Sequence, residues 1–119
     1  MMIGSMRPFD IVLVPFPFSD LTPVKQRPCL VLAVLLPGGM PAHYIVAMVT
    51  SHLSGVRFPF DHEISDWKEA GLPKPSLVRP SKLVTIEGTI VRRSLGSLTR
   101  RDRKEVSRLL TELFSEVLP

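Results

Sequence analysis

The sequence has a single cysteine and no long hydrophobic run, and each scarcity excludes a class of protein. One cysteine, Cys29, excludes an internal disulfide and a cysteine-based zinc site. Because Cys29 stands in the apolar run CLVLAVLL, we expect a small buried hydrophobe rather than a reactive thiol. No apolar stretch approaches the roughly 20 residues that span a bilayer, and the start MMIGSMRP lacks the hydrophobic stretch of a signal peptide. We therefore expect a cytoplasmic protein with no membrane partner.

Metal-ligand and cofactor-binding patterns are also missing. His43, His52 and His62 are scattered, and no set of Asp, Glu and His has ligand spacing. Gly38-Gly39 lies in a turn without the lysine and helix of a phosphate-binding P-loop. The sequence therefore predicts no metal site and no cofactor. His52 is a candidate acid or base by residue type, although an incidental surface position is the simpler interpretation.

Acidic residues are outnumbered, and the positive charge is unevenly placed. The chain has 15 Lys and Arg against 11 Asp and Glu, a formal net charge of +4, which favours a polyanionic partner. A basic cluster near the C-terminus consists of Arg92, Arg93, Arg100, Arg101, Arg103 and Lys104. Three interpretations of this cluster stay open: a solvated face, a rim that follows phosphates, or a docking surface for an acidic partner.

Proline usage and hydrophobic spacing predict the fold. The 119 residues are predicted to form a single domain over 1–119, and its 12 prolines lie, except Pro119, in the first 80 residues, which favours short strands and turns. Strands are predicted at 10–16, 29–36, 44–49 and 77–86, with a shorter one near 89–92. The second and third strands flank the turn PGGMP and should form an antiparallel hairpin.

The C-terminal segment has helical periodicity instead. Thr99 is a candidate N-cap, and Asp102 three residues later makes a near capping box. Apolar residues from Val106 onward recur at helical spacing and predict a helix of about 15–20 residues that packs on the sheet. The fold class is therefore mainly β, a small antiparallel barrel closed by a C-terminal α-helix.

The run FDIVLVPFPFSDLTPVKQRP at residues 9–28 is the most informative stretch of the chain. An apolar strand leads into an aromatic-proline corner, and a polar loop then ends at Arg27 directly before Pro28. Proline suits the start of a strand and biases the preceding residue toward extended geometry. The Arg27 guanidinium is thus aimed by covalent constraint, and its planar fork suits a phosphate or a carboxylate.

This stretch resembles the start of the PemK/MazF family of toxin endoribonucleases, which continues with a basic-Arg-Pro triplet matched by Gln26, Arg27 and Pro28. The resemblance extends through VTS (49–51), WKEAGL (67–72), PSLVRPSKLVTI (75–86) and LGSLT (95–99). It implies an SH3-like barrel of the CcdB/MazF type and a two-fold homodimer. One departure is Phe9, because the family usually has glycine before the aspartate.

The resemblance also implies which residues act. Arg27 matches a catalytic arginine and Thr50 a catalytic threonine, with Ser51 as a lesser contact. Arg79 matches an arginine that some members pair with an aspartate two residues later, but the second position here is Ser81, which cannot act as a base. Expected RNA contacts are Lys25, Ser51, Ser81 and Lys82, although Lys82 is equally well interpreted as a solvated strand residue.

The function implied is metal-independent, sequence-specific cleavage of single-stranded RNA by the toxin of a type II toxin–antitoxin system. The 2′-OH of the RNA would be the nucleophile, and the products would carry a 2′,3′-cyclic phosphate and a 5′-OH. The expected partners are single-stranded RNA, a second copy of the chain and a cognate antitoxin with an acidic, partly disordered segment. Two alternatives stay open: a CcdB-like gyrase poison or catalytically lapsed binder on the same fold, and an unrelated RNA-binding barrel.

Overall fold

The computed structural model describes residues 6–16 and 25–119, which form a curled sheet and one α-helix. In chain order the elements are β1 (Asp10–Phe16), β2 (Lys25–Leu35), β3 (His43–Thr50), β4 (His62–Glu63), β5 (Leu77–Glu87), β6 (Arg93–Ser97) and α1 (Arg100–Leu113). The strand order is β4-β5-β3-β2-β1-β6, and every neighbouring pair is antiparallel. The predicted mainly β class, its C-terminal helix and the hairpin of β2 and β3 are confirmed.

Several element bounds differ from the prediction. β2 begins at Lys25 rather than at residue 29, and the segment near 89–92 holds a 3₁₀ turn at Gly88–Ile90, so that β6 begins only at Arg93. β4 was missed because two residues are too few to show a hydrophobic period. α1 has 14 residues, fewer than predicted. Within residues 6–16 and 25–119, no helix has the length and apolar character needed to cross a membrane.

The strands alternate between two buried faces of the sheet. The face toward α1 is covered by Val106 and Leu110 of the helix, so the predicted packing is confirmed for the N-terminal part of the stripe. Phe114, Val117 and Leu118, the C-terminal part of the predicted stripe, are exposed. The sheet residues of the face toward α1 include Ile11, Leu30, Ala47, Val49 and Val78. The opposite face is built from Val12, Val14, Cys29, Val31, Tyr44 and Val46.

The segment between β4 and β5 closes the curl against β6. Gly71 has φ +88, and a Cβ there would collide with the Leu95 carbonyl oxygen. A Cβ at Gly96 would collide with the Ala70 carbonyl in the same way. Glycine is therefore needed at both positions, because the two backbones meet without room for a side chain. The segment before β5 thus lies directly against β6, the strand at the other edge of the sheet.

The predicted capping box at the start of α1 is wrong. Thr99 is the N-cap residue, but its side chain makes no capping hydrogen bond; its hydroxyl donates instead to Asp66 Oδ2 at 2.5 Å. Asp102 is fully buried and accepts from His62 Nε2 at 2.8 Å and from the backbone N–H groups of Ser65 and Asp66 at 2.9 Å each. Both side chains thus join α1 to residues 62–66. They form hydrogen bonds to this distant segment instead of capping the helix.

Phe9 occupies the position where the similar family usually has glycine, and its backbone explains that preference. Its φ is 73°, in the left-handed region that costs a non-glycine residue about 1–2 kcal/mol. The cost is offset locally. The Phe9 N–H donates to the Val31 carbonyl at 2.6 Å, its carbonyl accepts from Leu98, and its ring packs against the core that α1 covers.

Candidate active site

The candidate site opens where β2 and β3 separate. Their ladder ends at the pair Cys29 and Met48, whereas β2 continues back to Lys25 beside β1 alone. Pro28 lies in this part of β2, opposite Leu13, rather than at the strand's first residue as predicted. Proline is tolerated there because the strand has a neighbour on one side only. The free side of β2 and the end of β3 form the walls of an opening.

Two adjacent clefts occupy this opening and share Arg27, Val49 and Thr50. The first, of about 470 Å³, we call the Lys74 cleft; its polar lining includes Lys25, Arg27, Thr50, Ser51, Lys74 and Arg93. The second, of about 480 Å³, we call the Arg79 cleft; its lining includes Phe16, Arg27, Thr50, Arg79, Ser81 and Lys82. No Asp, Glu or His is among the described residues that line either cleft. The seven site residues expected from the sequence all lie on these walls.

Arg27 stands where the two clefts meet. Arg27 and Thr50 each lie two residues beyond the last β2–β3 pair, Cys29 and Met48, and both line the two clefts. Its guanidinium carbon lies 5.2 Å from the centre of the Phe16 ring. Its Nε is buried and has no hydrogen-bond partner among the described residues. A buried donor left unpaired costs about 1–3 kcal/mol, so this atom calls for an acceptor beyond the described residues.

Thr50 is the last residue of β3, and its hydroxyl has a fixed role in the turn that follows. Thr50 Oγ1 accepts the backbone N–H of His52 at 3.1 Å. A hydroxyl that accepts one bond keeps its own proton for donation. Ser51 is exposed beside it in the Lys74 cleft, whereas His52 is exposed and lines neither cleft.

Arg79 is held on several sides, unlike Arg27. Its Nε donates to Asp61 Oδ1 at 3.0 Å, and its Nη2 donates to Asp61 Oδ2 at 3.0 Å and to the Val56 carbonyl at 3.1 Å. The guanidinium lies 4.3 Å from the centre of the Phe58 ring. Asp61, Val56 and Phe58 were not assigned from the sequence, because no short motif joins residues 56–61 to residue 79.

Ser81 and Lys82 reach the Arg79 cleft through an irregularity in β5. The β3–β5 register passes from Ala47 opposite Leu83 to Met48 opposite Arg79, so residues 80–82 have no partners on β3. Pro80 lacks an amide donor and therefore suits such a bulge. Ser81 and Lys82 are exposed on it. The bulge explains why two consecutive residues of one strand can line a single cleft.

The basic cluster of the C-terminal segment is divided in the structure. Arg93 lines the Lys74 cleft. Arg101 pairs with Asp66, and its hydrogen bonds together with that from Thr99 lower the pKa of this carboxyl. Arg103 donates to the Leu98 carbonyl at 2.9 Å and lies over the Phe9 ring. Two members of the cluster thus serve the fold, and a continuous phosphate-binding rim is not its simplest interpretation.

The cysteine and two of the histidines lie outside both clefts and contact neighbouring parts of the fold. Cys29 is fully buried beside Met48, and burial raises the pKa of its thiol to about 12, in agreement with the expected inert hydrophobe. His62 contacts Asp102, and His43 Nδ1 lies 2.9 Å from the Pro41 carbonyl. In the described part of the chain, no three His, Cys, Asp or Glu side chains are grouped as metal ligands would be. Phe18 and most of the loop at 17–26, which the sequence places beside Arg27, lie outside the described residues.

Comparison with known proteins gives a family match and several structural likenesses. A family model described as PemK-like, MazF-like toxin of type II toxin–antitoxin system matches residues 7–114. A mycobacterial endoribonuclease solved in complex with its cognate antitoxin has 13% sequence identity and a TM-score of 0.69, covering 97% of this chain and 100% of that one. A search of curated proteins found no match.

Two further solved structures share the fold. The Mycobacterium tuberculosis toxin MazF-mt6 has 20% identity and a TM-score of 0.61 over 92% of this chain and 97% of that one. A MazE–MazF structure from Deinococcus radiodurans has 18% identity and a TM-score of 0.63 over 92% and 94% of the two chains. At these identities the likeness shows the fold, and it confirms the MazF-like class of barrel.

Proposed function

The chain belongs to the PemK-like, MazF-like toxin family of type II toxin–antitoxin systems, and we propose that it is an endoribonuclease that cleaves single-stranded RNA at the junction of its two clefts. One observation carries the proposal most: Arg27 Nε is buried and unpartnered among the described residues, where two clefts without acidic lining meet. An anion that enters this junction would supply the missing acceptor. RNA presents such anions in a row, and a cytoplasmic toxin would meet it as mRNA.

The chemistry we propose uses the substrate's own nucleophile. The 2′-OH loses its proton to solvent water and attacks the adjacent phosphorus, and the bond to O5′ breaks. Water protonates the departing O5′, so that the products are a 2′,3′-cyclic phosphate and a 5′-OH. Arg27 would hold nonbridging oxygens as their charge grows, and the Thr50 hydroxyl proton would donate to the same phosphate. Arg79 would add charge from the second cleft. The described cleft walls supply positive charge and hydrogen-bond donors rather than a carboxylate or imidazole base.

A direct test is incubation of the purified protein with a long single-stranded RNA in the presence of EDTA. We expect discrete fragments, because the proposed cleavage uses no metal ion. Intact RNA would refute the proposal. If the RNA stays intact and the protein inhibits DNA gyrase instead, the CcdB-like alternative, which the serine at position 81 keeps open, takes its place.

The Lys74 cleft should bind a phosphate that flanks the cleavage site. Lys74 and Arg93 line it together with Lys25 and Arg27. Changing Lys74→Gln and Arg93→Gln should weaken RNA binding and lower the slope of log affinity against log salt by about 1.4, since each contact to single-stranded RNA contributes about 0.7. Cleavage in single turnover at saturating RNA should stay near normal, because both residues contact the ground state as much as the transition state.

The matched control for this pair is Arg100→Gln with Lys104→Gln, which removes two exposed cations of α1 that line neither cleft. We expect the control to leave the salt slope within about 0.5 of the wild-type value. A larger effect from the control than from the Lys74 and Arg93 pair would contradict the assignment and support a phosphate-binding role for the basic cluster on α1.

An antitoxin should inhibit the protein by covering the same opening. An acidic, partly disordered antitoxin segment that folds on binding would complement the cationic walls, and we propose that it competes with RNA for Arg27. Adding the cognate antitoxin to a cleavage reaction should abolish cleavage at equimolar amounts. The variant with Lys74→Gln and Arg93→Gln should need a higher antitoxin concentration for the same inhibition. A complex that cleaves RNA at the full rate would contradict this proposal. Analytical ultracentrifugation of the same samples measures the molecular mass, and we expect that of a two-fold homodimer.

A further inference from the structure

We infer that Asp61 is a positioning residue that holds Arg79 side-on, so that the free end of its guanidinium faces the Arg79 cleft. It supplies, from another part of the chain, a carboxylate beside Arg79 that Ser81 cannot provide. This inference rests on the proposed function, since the role of Arg79 in cleavage belongs to that proposal.

The contacts define which end of Arg79 is occupied. Both oxygens of Asp61 receive bonds from Arg79, at 3.0 Å from Nε and 3.0 Å from Nη2, and the Arg79 and Asp61 side chains are only 14% and 5% exposed. Among the described residues, Nη1 makes no hydrogen bond. Two-point pairing through one edge of a planar guanidinium fixes its plane and direction. The opposite edge is therefore presented to the cleft that Arg79 lines.

The residues on either side of Asp61 hold its carboxylate against Arg79. Phe60 has φ 72°, an uncommon conformation for an aromatic residue; strain of this kind costs about 1–3 kcal/mol and persists only where the surrounding contacts impose it. Phe58 places its ring under the guanidinium and donates its N–H to Asp61 Oδ2 at 2.9 Å. On the other side of Asp61, His62 is tied to the buried Asp102. The carboxylate is thus fixed from both directions along the chain.

The same contacts argue against Asp61 as the general base. Burial by itself would raise the pKa of this carboxyl, but the hydrogen bonds from Arg79 and the Phe58 N–H, with the nearby charges of Arg79 and Arg57, outweigh burial and lower it. Both oxygens already accept hydrogen bonds, Oδ1 from Arg79 and Oδ2 from Arg79 and the Phe58 N–H. A carboxylate so engaged would have to break an ion pair to accept a proton, so its contribution is geometric.

The test compares Asp61→Asn with the wild type and with Glu63→Gln, a control that removes a carboxylate two residues away, 61% exposed and paired with Arg57. We expect Asp61→Asn to lower the single-turnover rate constant at saturating RNA by about 10–100-fold, by analogy with the loss of a hydrogen-bond partner that orients a metal ligand. The RNA concentration for half-maximal rate should change little. Glu63→Gln should match the wild type, and Asp61→Glu should recover part of the loss.

A double-mutant cycle with Arg79→Lys separates positioning from general destabilisation. If Asp61 acts through Arg79, the double variant should cleave no more slowly than Arg79→Lys alone. Additive losses, or an Asp61→Asn variant as fast as the wild type, would overturn the inference while leaving RNA cleavage intact. If the wild type does not cleave RNA, the proposed function fails and Asp61 has no reaction to serve. The NMR signal of Arg79 Nε–H gives an independent reading: it should exchange slowly with water in the wild type and rapidly in Asp61→Asn.

Discussion

Arg27→Lys should lower the single-turnover rate of RNA cleavage by about 10²–10³-fold, the scale seen when one oxyanion donor is removed. Lysine keeps the charge but lacks the planar fork that can bind two phosphate oxygens at once. The affinity for RNA should change little, because ground-state attraction comes from all the cations of the two clefts. The free energy of unfolding should also change little, since the buried Nε has no partner to lose among the described residues.

A suitable control for this substitution is Arg108→Lys. Arg108 lies on α1, where its partners are Glu105 and Glu112, and it lines neither of the two clefts. This variant should cleave at the wild-type rate. If Arg27→Lys also cleaves at that rate while the Lys74 and Arg93 variant loses the chemical step, the scissile phosphate lies in the Lys74 cleft and our placement of the chemistry is wrong.

Asp102→Ala should destabilise the fold by about 3–5 kcal/mol, because it leaves several hydrogen-bond donors without an acceptor at about 1–3 kcal/mol each. The carboxylate is fully buried and accepts three hydrogen bonds that no other described group replaces. Its loss leaves two backbone donors and the partly buried His62 ring without their acceptor. Because small domains have a total free energy of unfolding of about 5–15 kcal/mol, this one change removes a large part of it.

Urea unfolding, followed by the fluorescence of the single tryptophan, measures this effect. Glu112→Ala is the matched control, because Glu112 is an exposed carboxylate of the same helix whose pair with Arg108 should contribute less than about 1 kcal/mol. A loss below about 1 kcal/mol for Asp102→Ala would show that the contact between α1 and residues 62–66 does not hold the barrel closed.

Apolar residues predicted most of the fold because the strands bury side chains on both faces of the sheet and α1 buries part of one face. β1, β3 and β5 contain runs of buried apolar residues, and α1 has apolar residues at helical spacing. The bounds that were wrong depend on other forces. β2 extends to Lys25 because it still pairs with β1 over residues 25–28, where it no longer pairs with β3. The local sequence does not show which neighbouring strands a residue pairs with. Thr99 and Asp102 had the spacing of a cap, but partners 33 to 40 residues away satisfy them.

The sequence predicted the residues of the site that belong to a family motif, and it missed those that reach the site only through the fold. The family resemblance pointed to Arg27, Thr50 and Arg79, and the structure places all three on adjoining walls, while their catalytic roles stay predictions. Asp61 could not be found in this way. It meets Arg79 across 18 residues of sequence, through a loop with no periodic pattern and a strained Phe60. Lys74 was missed for a similar reason, because it comes to the cleft only when residues 62–72 fold back against β6.

The end groups of the RNA fragments test the central claim most directly. Once a cleavage site is mapped, mass spectrometry of the two products should find a 2′,3′-cyclic phosphate on one and a 5′-OH on the other. A substrate with a single 2′-deoxy nucleotide at that position should bind normally and stay intact, because its nucleophile is gone. Cleavage of the deoxy substrate, or products that carry a 5′-phosphate, would contradict the proposed mechanism.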